Sequence, residues 1–259
     1  MVHAPDVWQA RGLTHSRVDV NAIVLAAGNG DRFRTPTRDS KLLHPLFSRP
    51  LILRTLDSAR RAGITRITVV LGYQADRVRA LINRCAPVGM TMRYAFNPDW
   101  HLENGVSVLA ARGAIGDARF ALLMGDHLFD AGVLRRLLQV PLGKADSILA
   151  VDTRAVAPEA AAEATKVRRD GSRIVAIGKD LVEYDALDTG MFVCSPMLFG
   201  ALEAARAAGD TTLSGGIRQL AARGLMHAAE IGDAEWRDID TVSDLEAAEA
   251  AMGAPAVSQ

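Results

Sequence analysis

The chain has 259 residues, and its 30 Lys plus Arg are balanced by 30 Asp plus Glu, so the formal net charge is zero. With no cationic excess to neutralise a phosphodiester backbone, nucleic acid is excluded as the main partner. A chain of this length buries one sizeable core, so a single domain is expected over residues 20–252, between a poorly ordered extension (1–19) and a short tail (253–259).

Cys85 and Cys194 stand far apart with no CxxC spacing, which points to reduced, buried thiols rather than a disulfide framework or a zinc site. That usage suits the cytoplasm. No apolar run is long enough to span a bilayer, so direct membrane insertion is not expected.

In chain order, the first element is the apolar run Ala22, Ile23, Val24, Leu25, Ala26, too short for an ordinary helix. It breaks into Gly28 and Gly30 and then into a segment carrying Arg32, Arg34, Arg38 and Lys41. This reads as a buried strand feeding a glycine loop. Glycines admit a close ligand and Arg and Lys supply positive charge, a combination suited to polyphosphate. A dinucleotide fingerprint would need a third glycine where Phe33 stands, and a Walker A loop would need a Lys directly after its last glycine, so neither is present.

Pro50 opens a helix that stops near Gly63. Ile64–Tyr73 reads as a strand, Ala75–Cys85 as a helix and Met92–Asn97 as a third strand, followed by a polar loop that becomes a helix near Val106. Arg119–Asp130 is the fourth strand, delivering Gly125, Asp126 and His127, and Val133–Gln139 and Ser147–Asp152 follow as helix and strand. After a weak Ala- and acid-rich stretch (155–164), Asp170-Gly171 marks a β-hairpin whose second strand leads to Lys179. Glu183–Ser195 is polar at its start and apolar after Gly190. Helices follow from Pro196 and near Ser214, then a strand at Met226–Ile231, and Ser243 with Glu246 is expected to form the capping box of the last helix. Alternating strands and helices at this spacing predict a mostly parallel sheet with helices on both faces.

Open α/β sheets bind ligands beyond the carboxyl ends of their strands. The glycine loop, the Glu103–Ser107 loop, Asp126, and Asp238 with Asp240 therefore fall on one rim. A lone Asp ending a strand serves as a cap as readily as a ligand, but on the rim of a polyphosphate loop the Mg2+-ligand reading is the better one. Carboxylates holding Mg2+ with Arg and Lys beside them are what nucleotidyl transfer onto an anionic acceptor requires. A phosphate monoester is already ionised at neutral pH, so no general base is needed. No Ser, His and Asp arrangement suited to covalent catalysis stands out.

The signature Leu-Ala-Ala-Gly-x-Gly-x-Arg followed by Lys41 and Pro45 resembles that of nucleotidyltransferases. Together with ENGVSVL, LLMGDHLF, EATKV, IGKDL, YDALDTGMF and WRDIDT in that order, it makes residues 21–251 similar to the CTP:inositol-1-phosphate cytidylyltransferases, a branch of the sugar-phosphate nucleotidyltransferases. The resemblance implies an α/β, Rossmann-like nucleotidyltransferase fold with a mixed, mostly parallel central sheet and a small β-hairpin subregion over the acceptor pocket. It also implies an Mg2+-dependent reaction of CTP with inositol 1-phosphate to give CDP-inositol and pyrophosphate. Carried over by position, Arg32, Lys41 and Asp126 would be catalytic. Leu25, Ala26, Ala27, Gly28, Asn29 and Gly30 would bind nucleotide with Gln74, Asn104, Gly105 and Ser107. Lys179, Glu183, Asp188, Thr189 and Gly190 would bind the acceptor. The metal would fall to Asp126 and to Asp238 or Asp240; spacing does not settle which, and many relatives carry Gly where Asp240 stands.

Asp31 departs from the pattern, because a carboxylate beside the phosphates must point outward. His44 does too, and reads as packed and neutral. The inositol enzymes are often joined to a membrane alcohol transferase, which here would be a separate partner; the oligomeric state, a homodimer included, is open. The same chemistry with another cyclitol phosphate, a sugar 1-phosphate, phosphocholine or a phosphonate, or with UTP or GTP, is the alternative. Asp185 and Asp188 favour a polyol over a quaternary ammonium, which would want an aromatic cage. A non-catalytic nucleotide sensor is the remaining reading, and a nicotinamide oxidoreductase is disfavoured by the missing third glycine.

Overall fold

A computed structural model describes residues 20–33, 39–144, 146–154 and 163–253. The N-terminal extension, Arg34, Arg38, the C-terminal tail beyond 253 and most of the Ala-rich stretch lie outside the described residues.

Strand β1 (Asn21–Ala26) shows why the chain opens with an unbroken apolar run. Ala22, Val24 and Ala26 face one hydrophobic cluster while Ile23, Leu25 and Ala27 face another, so both faces of the strand are buried. The chain continues through a 3-10 turn (Lys41–Leu43), the short ribbon β2 (Pro45–Leu46) and β3 (Arg49–Pro50), helix α1 (Leu51–Arg61), β4 (Arg66–Leu71), α2 (Ala75–Cys85) and β5 (Thr91–Phe96). Next come α3 (Asn104–Ala110), α4 (Arg112–Ile115), β6 (Phe120–Met124), β7 (His127–Phe129), α5 (Ala131–Gln139) and β8 (Ser147–Asp152). The remainder is the hairpin β9 (Lys166–Asp170) and β10 (Arg173–Gly178), β11 (Ala186–Cys194), α6 (Met197–Ala207), α7 (Leu213–Ala222), β12 (Met226–Glu230), β13 (Trp236–Asp238) and α8 (Val242–Gly253).

Nine strands form one sheet in the order β5-β4-β1-β6-β11-β8-β12-β10-β9. The half from β5 to β6 is parallel, as are β8 and β12, whereas β11 runs antiparallel to β6 and β8 and the hairpin closes the far edge. Helices α1, α2 and α5 cover one face through Leu56, Ile82 and Leu134, and α3, α6 and α7 cover the other through Val108, Leu198 and Ile217.

Two smaller features place the site. The expected fourth strand is interrupted at Gly125-Asp126, and its second piece, β7, leaves the main sheet to pair antiparallel with β13, setting Asp238 opposite His127. A third hydrophobic cluster joins Phe33 and Leu46 to Ile239, Leu245 and Ala248, which seats the last helix against the glycine loop. The last helix is capped otherwise than expected. Thr241 and Asp244 form the box, Asp244 N–H donating to Thr241 Oγ1 at 3.1 Å and Thr241 N–H donating to Asp244 Oδ2 at 2.7 Å, in place of Ser243 and Glu246.

Candidate active site

The carboxyl ends of β1 and β6, the start of β11 and the β13–α8 connection surround a cleft of about 1180 Å³. Its walls run from Trp100 and Asn104 on one side to Lys179 and Leu187 on the other, with Asp126 and Asp238 between them. Pockets for one small molecule span about 300–1,000 Å³, so this cleft has room for two ligands meeting near the two carboxylates.

The glycine loop leads to Lys41, which is buried against two carboxylates that line that centre. Gly30 takes φ +65°, and a side chain there would lie 3.2 Å from the Lys41 stem, so the glycine both turns the loop and leaves the channel along which the lysine runs. The buried Lys41 ammonium lies 2.7 Å from Asp126 Oδ2 and 2.8 Å from Asp240 Oδ1. Arg32, half exposed, donates to the other Asp240 oxygen at 2.5 Å and to Glu163 at 2.8 Å.

His127 closes the chain of charges. Its Nδ1 is 3.0 Å from Asp126 Oδ1 and 3.5 Å from Asp238 Oδ1, and its ring stacks on Trp236, whose indole N–H donates to buried Asp152. The other edge of the imidazole lies against Gly190. That residue sits at φ +73° in a register shift of β11, and a Cβ there would meet His127 Cδ2 at 2.6 Å. Asp188 stabilises the irregularity by accepting the Gly190 N–H at 2.7 Å. From below, the Thr55 hydroxyl donates to the carbonyls of Gly125 and His127.

Burial acts to lower the Lys41 pKa, but Asp126, Asp240 and Asp238 outweigh it and hold the ammonium well above its usual range. Burial likewise acts to raise Asp126, yet Lys41 and His127 keep it far below the usual carboxylate range. Asp238 goes the other way: burial raises it, assisted by the neighbouring Asp126 and Asp240. His127, against the effect of burial, is raised to about 9 by Asp238 and Asp126.

Asp126, His127 and Asp238 present ligand atoms all within 4.8 Å of one another. Two carboxylates on one rim are hard oxygen donors of the kind Mg2+ takes, usually one or two per site with the rest supplied by water and phosphate, so the residues fit that ion.

Residues 22–227 match the MobA-like NTP transferase domain. The chain belongs to that family. This NTP transferase is 38% identical over 241 residues to the "Bifunctional IPC transferase and DIPP synthase" of Rubrobacter xylanophilus, covering 91% of this chain and 52% of that protein. It is 31% identical over 232 residues to the protein of the same name from Aquifex aeolicus, covering 88% of this chain and 50% of that one. The chain thus spans about half the length of these curated relatives. The structure of the inositol-1-phosphate CTP transferase from T. maritima superposes with a TM-score of 0.79 at 26% identity, covering 91% of this chain and 96% of that one. The fold is therefore the Rossmann-like fold of solved nucleotidyltransferases.

Of the residues singled out by sequence in this transferase, Leu25, Ala27, Gly28, Asn29 and Arg32 from the glycine-loop region line the cleft, as do Asn104 and Ser107, whereas Gly30 and Lys41 lie behind the lining. Lys179, Asp188 and Gly190 line the hairpin side, and Asp126, Asp238 and Asp240 the centre. Others are not brought there. Ala26 faces the opposite side of the sheet, and Gly105 is buried where a side chain would meet the carbonyls of Thr211 and Thr212 at under 3 Å. Gln74 accepts the Ser40 N–H at 3.2 Å, bracing the Lys41 turn from behind. Thr189 is fully buried, its hydroxyl donating to Ala150 O, because neighbours on a strand point to opposite faces and Asp188 takes the cleft. Glu183 turns outward to Arg168, and Asp185 is held by the Arg169 guanidinium and backbone N–H, so neither contributes polarity to the cleft.

Asp31 is exposed and accepts from the Asn29 amide, but it lines the cleft with Asn29 and Arg32 instead of lying away from it, and His44 packs edge-on against Phe33. Cys194 is buried and Cys85 half-buried, both as free thiols. Among the described residues no helix is long and apolar enough to cross a membrane. Sequence reasoning set His127 on the rim without a role and passed over Trp236 as a cleft residue; the β7–β13 register that unites them leaves no local signal.

Proposed function

We propose that this chain transfers CMP from CTP to inositol 1-phosphate, giving CDP-inositol and pyrophosphate. The observation that carries the reading is Asp126, lining a cleft with room for two ligands and held there by the buried Lys41 ammonium. The likeness to the inositol-1-phosphate CTP transferase of T. maritima supports the choice of substrates.

In this reading the triphosphate lies along Gly28 and Arg32, and the acceptor enters past Lys179 and Asp188. A phosphate oxygen of the acceptor forms a bond to the α-phosphorus of CTP, and the bond from that phosphorus to the oxygen bridging the β-phosphorus breaks. Pyrophosphate departs with the electron pair. The acceptor is a dianion or monoanion at neutral pH, so the protein need not remove a proton; its task is to cancel charge and align the two phosphates. Lys41, kept charged by its carboxylates, directs its remaining N–H donor at the reacting phosphates, and Arg32 holds the outer part of the triphosphate. Asp126 and Asp238 would hold Mg2+, which when bound supplies further charge cancellation between the two anions. Lys179 anchors the acceptor phosphate, and Asp188 accepts from its hydroxyls.

A pyrophosphate-release grid tests this: CTP, UTP, GTP, ATP and dTTP against inositol 1-phosphate, glucose 1-phosphate, phosphocholine and aminoethylphosphonate, with Mg2+ and with chelator. Selective, Mg2+-dependent turnover of CTP with inositol 1-phosphate is expected. Another productive pair would move the substrate and keep the reaction, whereas nucleotide binding without any release would identify a sensor.

A further inference from the structure

Of the three aspartates at the centre of the cleft, Asp240 has different company from the other two. Asp126 and Asp238 both meet His127 and lie in the cluster whose ligand atoms converge within 4.8 Å, and Asp240 is outside that cluster. Both of its side-chain oxygens are taken by cations, Oδ1 by Lys41 at 2.8 Å and Oδ2 by Arg32 at 2.5 Å. Its backbone is fixed as well: the Asp240 N–H donates to Asp244 Oδ2 at 3.0 Å, the same oxygen that closes the Thr241 capping box, and Ile239 beside it is fully buried against Phe33 and Leu46. The carboxylate is therefore a fixed point, anchored by a helix cap and a hydrophobic cluster, with one cation on each oxygen.

Resting on the function proposed above, we infer that Asp240 is a positioning residue acting through Lys41 and Arg32, and that it does not belong to the metal-holding pair. A long, flexible lysine and a half-exposed arginine would each spread over many rotamers, and ordering them costs entropy. Asp240 pins both tips on one carboxylate, so the two donors that receive the phosphates keep a constant separation, while Asp126 restrains Lys41 from the side of the metal. The division of labour follows: Asp126 and Asp238 serve the cation, Asp240 serves the two basic side chains, and Lys41 links the sets.

The test has two arms, applied to Asp240→Asn, with Asp240→Ser in reserve should the first fold poorly. In the kinetic arm, Asp240→Asn lowers kcat about tenfold or more and leaves the Mg2+ concentration for half-maximal rate within about twofold of wild type, while adding Asp240→Asn to the combined Lys41→Ala and Arg32→Ala variant slows it no further, because the first residue acts through the other two. Additive losses, an unchanged kcat, or a Mg2+ requirement raised several-fold would overturn the inference. In the binding arm, Mn2+ alone is titrated into each protein and followed by electron paramagnetic resonance, with no nucleotide and no turnover. Asp240→Asn keeps the wild-type affinity and Asp238→Asn loses it. Loss in Asp240→Asn, or no Mn2+ binding by the wild type, overturns the assignment. Failure of the proposed function has a different signature: no wild-type pyrophosphate release with any substrate pair, in which case the Mn2+ titration alone judges Asp240.

Discussion

Lys41, in the turn that follows the glycine loop after β1, and Asp126, just beyond the carboxyl end of β6, meet with the ammonium 2.7 Å from the carboxylate, and this contact joins the glycine loop to the end of the fourth parallel strand. It makes Asp126 both a candidate metal ligand and the counter-charge of a buried lysine. Asp126→Asn should therefore abolish turnover. It should also destabilise the fold by about 3 kcal/mol or more, because an ammonium would be left buried with less compensation. Steady-state kinetics alongside denaturant melts separate the two effects; activity near wild type would remove Asp126 from the metal site.

Lys41→Ala leaves the residues lining the cleft in place and, in the proposed mechanism, removes the donor to the reacting phosphates. The expected result is a fall in kcat of about a hundredfold with nucleotide KM changed only a few-fold, since the interaction belongs to the transition state rather than to ground-state binding. A mutant that binds nucleotide poorly at an unchanged kcat would assign the lysine to binding alone.

Gly190 holds the imidazole of His127 in place by having no side chain. Gly190→Ala puts a methyl 2.6 Å from His127 Cδ2 at φ +73°, and should cost about 1–3 kcal/mol. Gly200→Ala is the contrasting case, a helical glycine in α6 with nothing within 4 Å of the added methyl, and should stabilise by about 0.5–1 kcal/mol. Paired thermal melts test the contrast, and equal shifts would contradict the packing described for Gly190.

Burial raises Asp188 to about 6, against the opposing Gly190 N–H and His127. A carboxyl whose folded pKa lies above its unfolded value favours the folded state fully below the unfolded pKa, and that contribution is lost as pH rises through about 6. Asp188→Asn should accordingly melt above wild type at pH 7.5, the difference shrinking as pH falls toward 4.5. A difference independent of pH would show that ionisation of Asp188 carries no stability cost.

Much of this was readable in advance where local chemistry decides. The unbroken apolar run before Gly28 gives a strand buried on both faces, and Ala75–Cys85 and Ser147–Asp152 begin and end where pattern and turn residues place them. What escaped depends on long-range partners. Thr241-x-x-Asp244 and Ser243-x-x-Glu246 both fit a capping pattern, and packing of Ile239 against Phe33 accompanies the choice of the earlier one. Asp188 and Thr189 could not both face the cleft from one strand, a constraint that alternation contained and a resemblance carried residue by residue did not apply. Glu183 and Gln74 found partners in Arg168 and the Ser40 amide that only the folded chain supplies.

Bond exchange at the α-phosphorus of CTP is observed most directly by phosphorus NMR of the wild-type protein with CTP, inositol 1-phosphate and Mg2+. Paired disappearance of the CTP and monoester signals, with stoichiometric growth of pyrophosphate and of a new diphosphate diester, is the predicted result. CTP signals that stay unchanged, or that decay to CMP and pyrophosphate while inositol 1-phosphate is untouched, would contradict it.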